Sequence, residues 1–182
     1  MKIIAGDAKN KKIKSRKGTD TRPTLGSMKE SLFSIIAPYV PDSVFLDLFS
    51  GSGSISLEAL SRGAKRAVMI EKDTEALKYI IENVNTLGYE DRCRAYKNDA
   101  LRAIEILGRK GEKFDIIFMD PPYKEEVCAK VIKEIEKNKI LADGGLIISE
   151  HHIFEELENE IGEFKKADER KYGKKCITFY TR

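Results

Sequence analysis

Four short apolar runs set most of the limits on what this chain can fold into. Val44–Phe49, Ala67–Ile70, Phe114–Met119 and Leu146–Ser149 are dominated by large aliphatic and aromatic residues rather than alternating apolar with polar. Runs of that kind suit strands covered on both faces, which is the environment of a parallel sheet. The segments between them have helical spacing. Leu77, Ile80, Ile81, Val84 and Leu87 recur on one helical face, with Asp73 placed to cap the N-terminus and Gly88 to close the C-terminus. Val127, Val131, Ile132 and Ile135 predict a second helix, and Ile55–Ser61 and Ala100–Leu107 shorter ones. Alternating β and α units imply a doubly wound α/β sheet with right-handed crossovers.

Two segments lie outside that alternation. Leu25, Met28, Leu32, Phe33 and Ile36 predict an amphipathic helix upstream of the first strand. Downstream, Phe164–Arg182 reads as a hairpin turning near Gly173, with edge-strand packing for the aromatic residues of its final strand, Cys176–Tyr180. The acidic stretch Glu155–Glu163 reads as a solvated helix face.

With 182 residues, one domain with a substantial core is expected. No apolar run approaches the length of a membrane span, and the N-terminus has too short an apolar stretch for a signal peptide. The cytoplasm is therefore the expected compartment. Cys93, Cys128 and Cys176 follow no metal-binding spacing and are expected to be reduced structural thiols.

Charge is unevenly placed. Residues 1–24 hold eight Lys and Arg against Asp7 and Asp20, a net of +6, so the remainder of this +3 chain sums to −3. Residues 1–24 thus read as a basic arm, and residues 25–182 as the body it serves. Such an arm suits a polyanionic partner, although a solvated terminus has the same composition.

The chemistry is concentrated where the runs end. Gly51 and Gly53 lie between a strand and a helix, where bare backbone and a helix N-terminus can approach a cofactor. A dinucleotide fingerprint would need glycine at Ser56, and Asp47 suits a positively charged cofactor better than a pyrophosphate. Glu71 ends the next strand, where a carboxylate can accept from both hydroxyls of an adenosine ribose. Asp99 follows a third strand and can accept from an adenine amine. Each acid alone is equally at home as a strand-end cap. Their recurrence at successive strand ends, the ligand-binding edge of open α/β sheets, is the informative pattern. Phe114–Met119 then runs into Asp120, Pro121, Pro122 and Tyr123, which also satisfies a plain strand-to-helix turn.

The fragments DLFSGSGS, IEKD, NDA and DPPY occur in the order found in S-adenosylmethionine-dependent methyltransferases that modify exocyclic amines. IIAG, RPT, KESLF, LEALSRGA and LADGGLI add a closer likeness. Over nearly its whole length the chain resembles the bacterial RsmD family, which methylates N2 of one guanine in 16S ribosomal RNA. Asn10–Lys11–Lys12 stands where that family more often has Gly-Arg-Lys, and Ser56 where it often has glycine.

The resemblance implies a class I, Rossmann-like methyltransferase fold: a seven-stranded, mostly parallel sheet, helices on both faces and a C-terminal antiparallel hairpin. It implies S-adenosyl-L-methionine as methyl donor, S-adenosyl-L-homocysteine as product and no metal. Arg22 and Thr24 would lie near the methionine end of the cofactor. Asp47, Phe49, Ser50, Gly51, Gly53, Glu71, Lys72, Asp99, Ala100 and Asp120 would surround the rest of it. Asp120 and the Pro121 carbonyl would accept the two amino N–H groups, the Pro121–Pro122 pair would stiffen the turn, and Tyr123 would stack on the base. Lys9, Lys11, Lys12, Lys14, Arg16 and Lys17 would contact RNA phosphates. The implied partner is 16S rRNA, free or within a 30S subunit or assembly intermediate, acted on by a monomer. Adenine-N6 methylation of DNA or RNA is the alternative that DPPY also permits. His151 and His152, adjacent at a strand end, point to opposite faces and are expected at the surface or site rim, sharing no metal.

Overall fold

The computed structural model describes residues 1–15, 23–122 and 127–182, with the side chains of residues 23–25 left aside. Strand β1 (Val44–Asp47) lies at the centre of a single sheet. It is followed by α2 (Ser54–Ser61), β2 (Arg66–Glu71), α3 (Thr74–Leu87), β3 (Cys93–Lys97), α4 (Ala100–Arg109), β4 (Phe114–Met119) and α5 (Val127–Asn138). Helix α1 (Pro23–Ile35) precedes this series, and β5 (Leu141–His152), β6 (Glu160–Ile161), β7 (Phe164–Tyr172) and β8 (Lys175–Thr181) complete it. The strand order is β3-β2-β1-β4-β5-β8-β7-β6. The first five strands in that order are parallel, and the last three join antiparallel.

The doubly wound sheet with its C-terminal antiparallel hairpin is thus as expected, with one strand more. The described residues form eight strands rather than seven, because two-residue β6 adds to the edge of β7. The acidic segment before β7 is correspondingly not a helix. Leu157 and Ile161, four residues apart, both enter the core, but Gly162 turns the chain at φ +58° into β7. Strand β8 lies between β5 and β7 rather than at an edge, with Phe179 and Tyr180 buried.

Each parallel strand divides its side chains between two apolar clusters, as burial on both faces requires. Phe45, Met69, Ile116, Phe118 and Ile148 face α1, α2 and α3 through Leu32, Phe33, Leu57 and Ile80. Leu46, Val68, Ile117, Met119 and Ile147 meet Ile104 from α4 and Val131 and Ile135 from α5 on the other side. Helix α3 begins as predicted, with Asp73 accepting from the Ala76 N–H at 2.8 Å, and ends at Gly88 with φ +73°. Ile81 is the exception on its face and is half exposed, while Asn83 is buried there.

Residues 1–15 pack onto the same core. Lys2 and Lys12 form an antiparallel bridge, and Ile3, Ala8 and Ile13 are buried beside α1 and α2 residues. Glu58 on α2, fully buried, accepts from the Ile4 and Ala5 N–H groups at 2.9 and 3.0 Å. It also pairs with Arg62 at 2.8 Å and with buried Lys29 at 3.2 Å. Burial lowers the Lys29 pKa, and Glu58 opposes that shift. Glu58→Ala leaves the Ile4 and Ala5 amides without their acceptor and the buried Lys29 ammonium without its counter-ion. A loss of about 3–5 kcal/mol in urea-unfolding stability is the expected result.

Candidate active site

The sheet's topology decides where a ligand can sit. From β1 the chain crosses to β2 on one side, while β4 occupies the other, so strand order reverses at the β1–β4 pair. Loops leaving adjacent strands there diverge to opposite faces and open a crevice at the strands' C-terminal ends. Asp47 closes β1 and Asp120 follows β4 at that crevice.

The loop after β1 is held from both sides. The Leu48 N–H donates to Phe118 O and the Ser50 N–H to Ile70 O, both at 3.0 Å. Gly53 caps α2 in the left-handed region at φ +80°. The conformation favours glycine, and a Cβ there would crowd Met69 Sδ at 3.2 Å. Gly51, at φ +55°, leaves open space beside its backbone.

A cavity of about 550 Å³ opens over this loop. Its walls include Asp47, Phe49, Ser50, Gly51 and Asp120, five of the residues singled out in the sequence. Apolar Met28, Ile55 and Phe118 alternate with these polar groups, a mixture typical of small-molecule sites. The residue-1 end of the chain also contributes, through Met1, Lys2 and Ile4, as does buried Lys29.

The carboxylates differ in environment. Asp47 is buried and accepts from the Phe49 N–H at 3.3 Å and from the Ser56 hydroxyl at 3.2 Å. Burial dominates and pushes its pKa up to about 7, against the pull of those hydrogen bonds. Asp120 keeps about a third of its side chain in contact with solvent. Its pKa also rises to about 7, through loss of hydration and then the negative charge of Glu150, with Lys175 pulling the other way. Glu150 is buried in β5 and lines the same cavity.

The remaining candidates lie around this centre. Glu71 receives the Gly51 and Asp73 N–H groups at 2.8 Å each, fixing the loop to the end of β2. Each of its oxygens keeps a second lone pair for another donor. Asp99 caps α4, accepting from Leu101 and Arg102 at 3.0 and 3.3 Å, and its neighbour Ala100 is buried. Lys72 is exposed between β2 and α3. Gly53, Glu71, Lys72, Asp99 and Ala100 surround the crevice without forming the cavity wall. Pro121 is buried and Pro122 exposed. Arg22, Tyr123, Arg16 and Lys17 lie outside the described residues, as does the side chain of Thr24. Lys9, Lys11 and Lys12 are exposed, and Lys14 pairs with Glu82.

The histidines correct one expectation. His151 is not at the surface or rim: it is buried, with Nε2 bonded to the Thr178 hydroxyl at 2.8 Å and Nδ1 to His152 O at 3.0 Å. His151 lies within β5, paired with Cys176 of β8, a pairing that sequence spacing alone does not reveal. Glu150 and Lys175 are the site residues that sequence reading missed. Lys175 contacts both Asp120, at 3.7 Å, and Glu150.

The family described as "Conserved hypothetical protein 95" matches residues 1–181. The chain belongs to that family, the RsmD family. "Putative rRNA methyltransferase YlbH" of Bacillus subtilis is 35% identical over 180 residues, spanning 99% of this chain and 98% of that protein. The Escherichia coli K12 "Ribosomal RNA small subunit methyltransferase D" is 35% identical over 153 residues, 84% of this chain and 75% of that one. The solved structure of the Escherichia coli "Putative methyltransferase yhhF" superposes with a TM-score of 0.89 at 32% identity, covering 100% of this chain and 97% of that one. This RsmD-family chain therefore has the class I methyltransferase fold, with its carboxylate-lined cavity at the switch point of the sheet.

Proposed function

We propose that this protein transfers a methyl group from S-adenosylmethionine to the exocyclic N2 of a guanine in small-subunit ribosomal RNA. One observation carries the reading: Asp47, Asp120 and Glu150 converge on a single cavity beside a glycine loop, with Asp120 held between a buried strand and a proline turn. The names of the relatives supply the RNA class.

The donor set fits this cofactor. Three carboxylates against Lys2 and Lys29 in the wall favour a cationic ligand over an anionic pyrophosphate. When bound, S-adenosylmethionine supplies an electrophilic methyl group on a positively charged sulfur. Asp47 would attract that end of the ligand, Glu71 would receive ribose hydroxyls, and the bare Gly51 backbone would permit close approach.

Asp120 and the Pro121 carbonyl then accept the two amino N–H groups of guanine. The amino lone pair is delocalised into the base, and these acceptors turn it towards the methyl carbon as nitrogen becomes tetrahedral. Methyl transfer would leave the C–S electron pair on sulfur and cost the nitrogen one proton, which Asp120 would take. A carboxyl with a raised pKa can hold that proton before passing it to solvent. Tyr123 stacks on the base once it has left its own stack.

Exposed Lys9, Lys11 and Lys12 form the backbone-phosphate contact. Replacing all three with glutamine should weaken RNA binding and lower the slope of log affinity against log salt by about two. Fluorescence anisotropy across a salt series measures both. The activity itself is tested by incubating the protein and labelled S-adenosylmethionine with ribosomal RNA from cells that lack this enzyme. Label in small-subunit RNA supports the reading. Label only in DNA, or none in RNA, overturns it.

A further inference from the structure

Strands β4 and β5 run parallel with Met119 opposite Ser149, so the next residue on each is a carboxylate: Asp120 and Glu150. Two acids side by side on neighbouring strands repel when both are ionised. The antiparallel strand β8 brings Lys175 to them. It follows the Gly173 turn, pairs with His152 in the β5 register, and places Nζ 3.7 Å from Asp120 Oδ2 and in closer contact with Glu150 Oε1. The hydrogen bond from the Ile153 N–H to Lys174 O, 2.9 Å, fixes the backbone beside it.

We propose that Lys175 is a positioning residue for methyl transfer, a shared counter-ion that holds Asp120 as an ionised acceptor beside Glu150. This rests on the functional reading above, in which Asp120 accepts an amino N–H. A protonated Asp120 keeps one acceptor oxygen but can no longer take the proton that the amino nitrogen sheds. Among the described residues, the other ionisable groups acting on Asp120 are Asp47 on β1 and Glu150 on β5, with the Cys128 thiol of α5 within electrostatic reach. Lys175 is the cation that opposes them.

Lys175→Gln removes the attraction and leaves the repulsion, so Asp120 ionises at higher pH. Glu150→Gln removes the repulsion, so Asp120 ionises at lower pH. The experiment is the pH profile of kcat/KM for methyl transfer to small-subunit RNA by the full chain. For Lys175→Gln, the acid limb should move up by about one unit, the size expected for losing an opposite charge at this range. Glu150→Gln should move it down, and the double variant should return it towards wild type. Lys175→Arg, which keeps the charge, should keep the limb. A loss of rate by the same factor at every pH, with the limb fixed in both single variants, overturns the assignment. Should Lys175→Gln alone fail to fold, the double variant is compared with Glu150→Gln: a higher limb in the double variant supports the assignment and an identical limb overturns it. Wild-type protein that methylates no RNA at any pH overturns the functional reading, and this assignment with it. An active wild type whose limb ignores both variants overturns this assignment alone.

Discussion

Asp120→Ala lowers kcat for RNA methylation by about 10²–10³-fold, the range typical of removing one group that acts on charge or geometry in the transition state. The protein stays folded. Asp120 is partly exposed and its nearest acidic neighbour is Glu150, so removing it relieves a repulsion while leaving the apolar strand Phe114–Met119 intact. Cofactor affinity changes less than rate, because the Asp47 end of the cavity is untouched. Asp120→Asn should fall between alanine and wild type: its amide oxygen can still accept one N–H, but the charge and the proton acceptor are gone. Single-turnover kinetics with saturating cofactor separates rate from binding, and circular dichroism checks the fold. Unchanged kcat in Asp120→Ala would remove this residue from the chemistry.

Asp47→Asn has the larger effect on binding. Burial raises the Asp47 pKa from 3.8 to about 7, so near neutrality a large share of the unliganded protein carries a proton there. A cationic ligand favours the carboxylate, and binding must expel that proton. Affinity for S-adenosylmethionine should therefore rise with pH up to about 7 and level off above it. An asparagine amide in its place cannot ionise, which flattens this dependence. At pH 8 the variant should bind about ten- to a hundredfold more weakly, the value of one charged hydrogen bond.

Stability runs in the opposite sense. Between pH 3.8 and about 7 the native state keeps a proton on Asp47 that the unfolded chain releases. Unfolding is thus progressively favoured as pH rises through that window. Asp47→Asn removes this contribution, so the unliganded variant should lose less stability across the window than wild type. Calorimetric titration and thermal unfolding over pH 4–8 read the two effects separately.

Strand Phe114–Met119 was legible to the residue because both its faces are covered, which leaves an uninterrupted apolar signal. The Asp73 cap and the Gly88 terminus were legible because capping depends on local backbone chemistry. Glu155–Glu163 was misread for the converse reason. Leu157 and Ile161 have helical spacing, yet they reach the core beside Phe164 and Tyr180, which lie later in the chain. Strand β5 extends from Leu141 to His152 rather than over Leu146–Ser149 alone, with Gly144 at φ +72° and a register shift against β4. Glycines that mark loops in a sequence here mark a bulge.

The same division applies to the site. Asp47, Gly51 and Asp120 were found because strand-loop-helix order places them at one edge. Lys175 was not, because it reaches that edge only through the antiparallel register of β8 on β5, a pairing between residues far apart in sequence. Its neighbours Lys171 and Lys174 have the same local composition and make no contact with Asp120 among the interactions of the described residues.

The nitrogen that receives the methyl group separates guanine-N2 from adenine-N6 methylation. Small-subunit RNA from cells lacking this protein, treated with the purified chain and isotopically labelled S-adenosylmethionine, can be digested to nucleosides and analysed by mass spectrometry. Labelled N2-methylguanosine is the expected product, abolished or strongly reduced by Asp120→Ala. Labelled N6-methyladenosine, with guanosine unmodified, would contradict it.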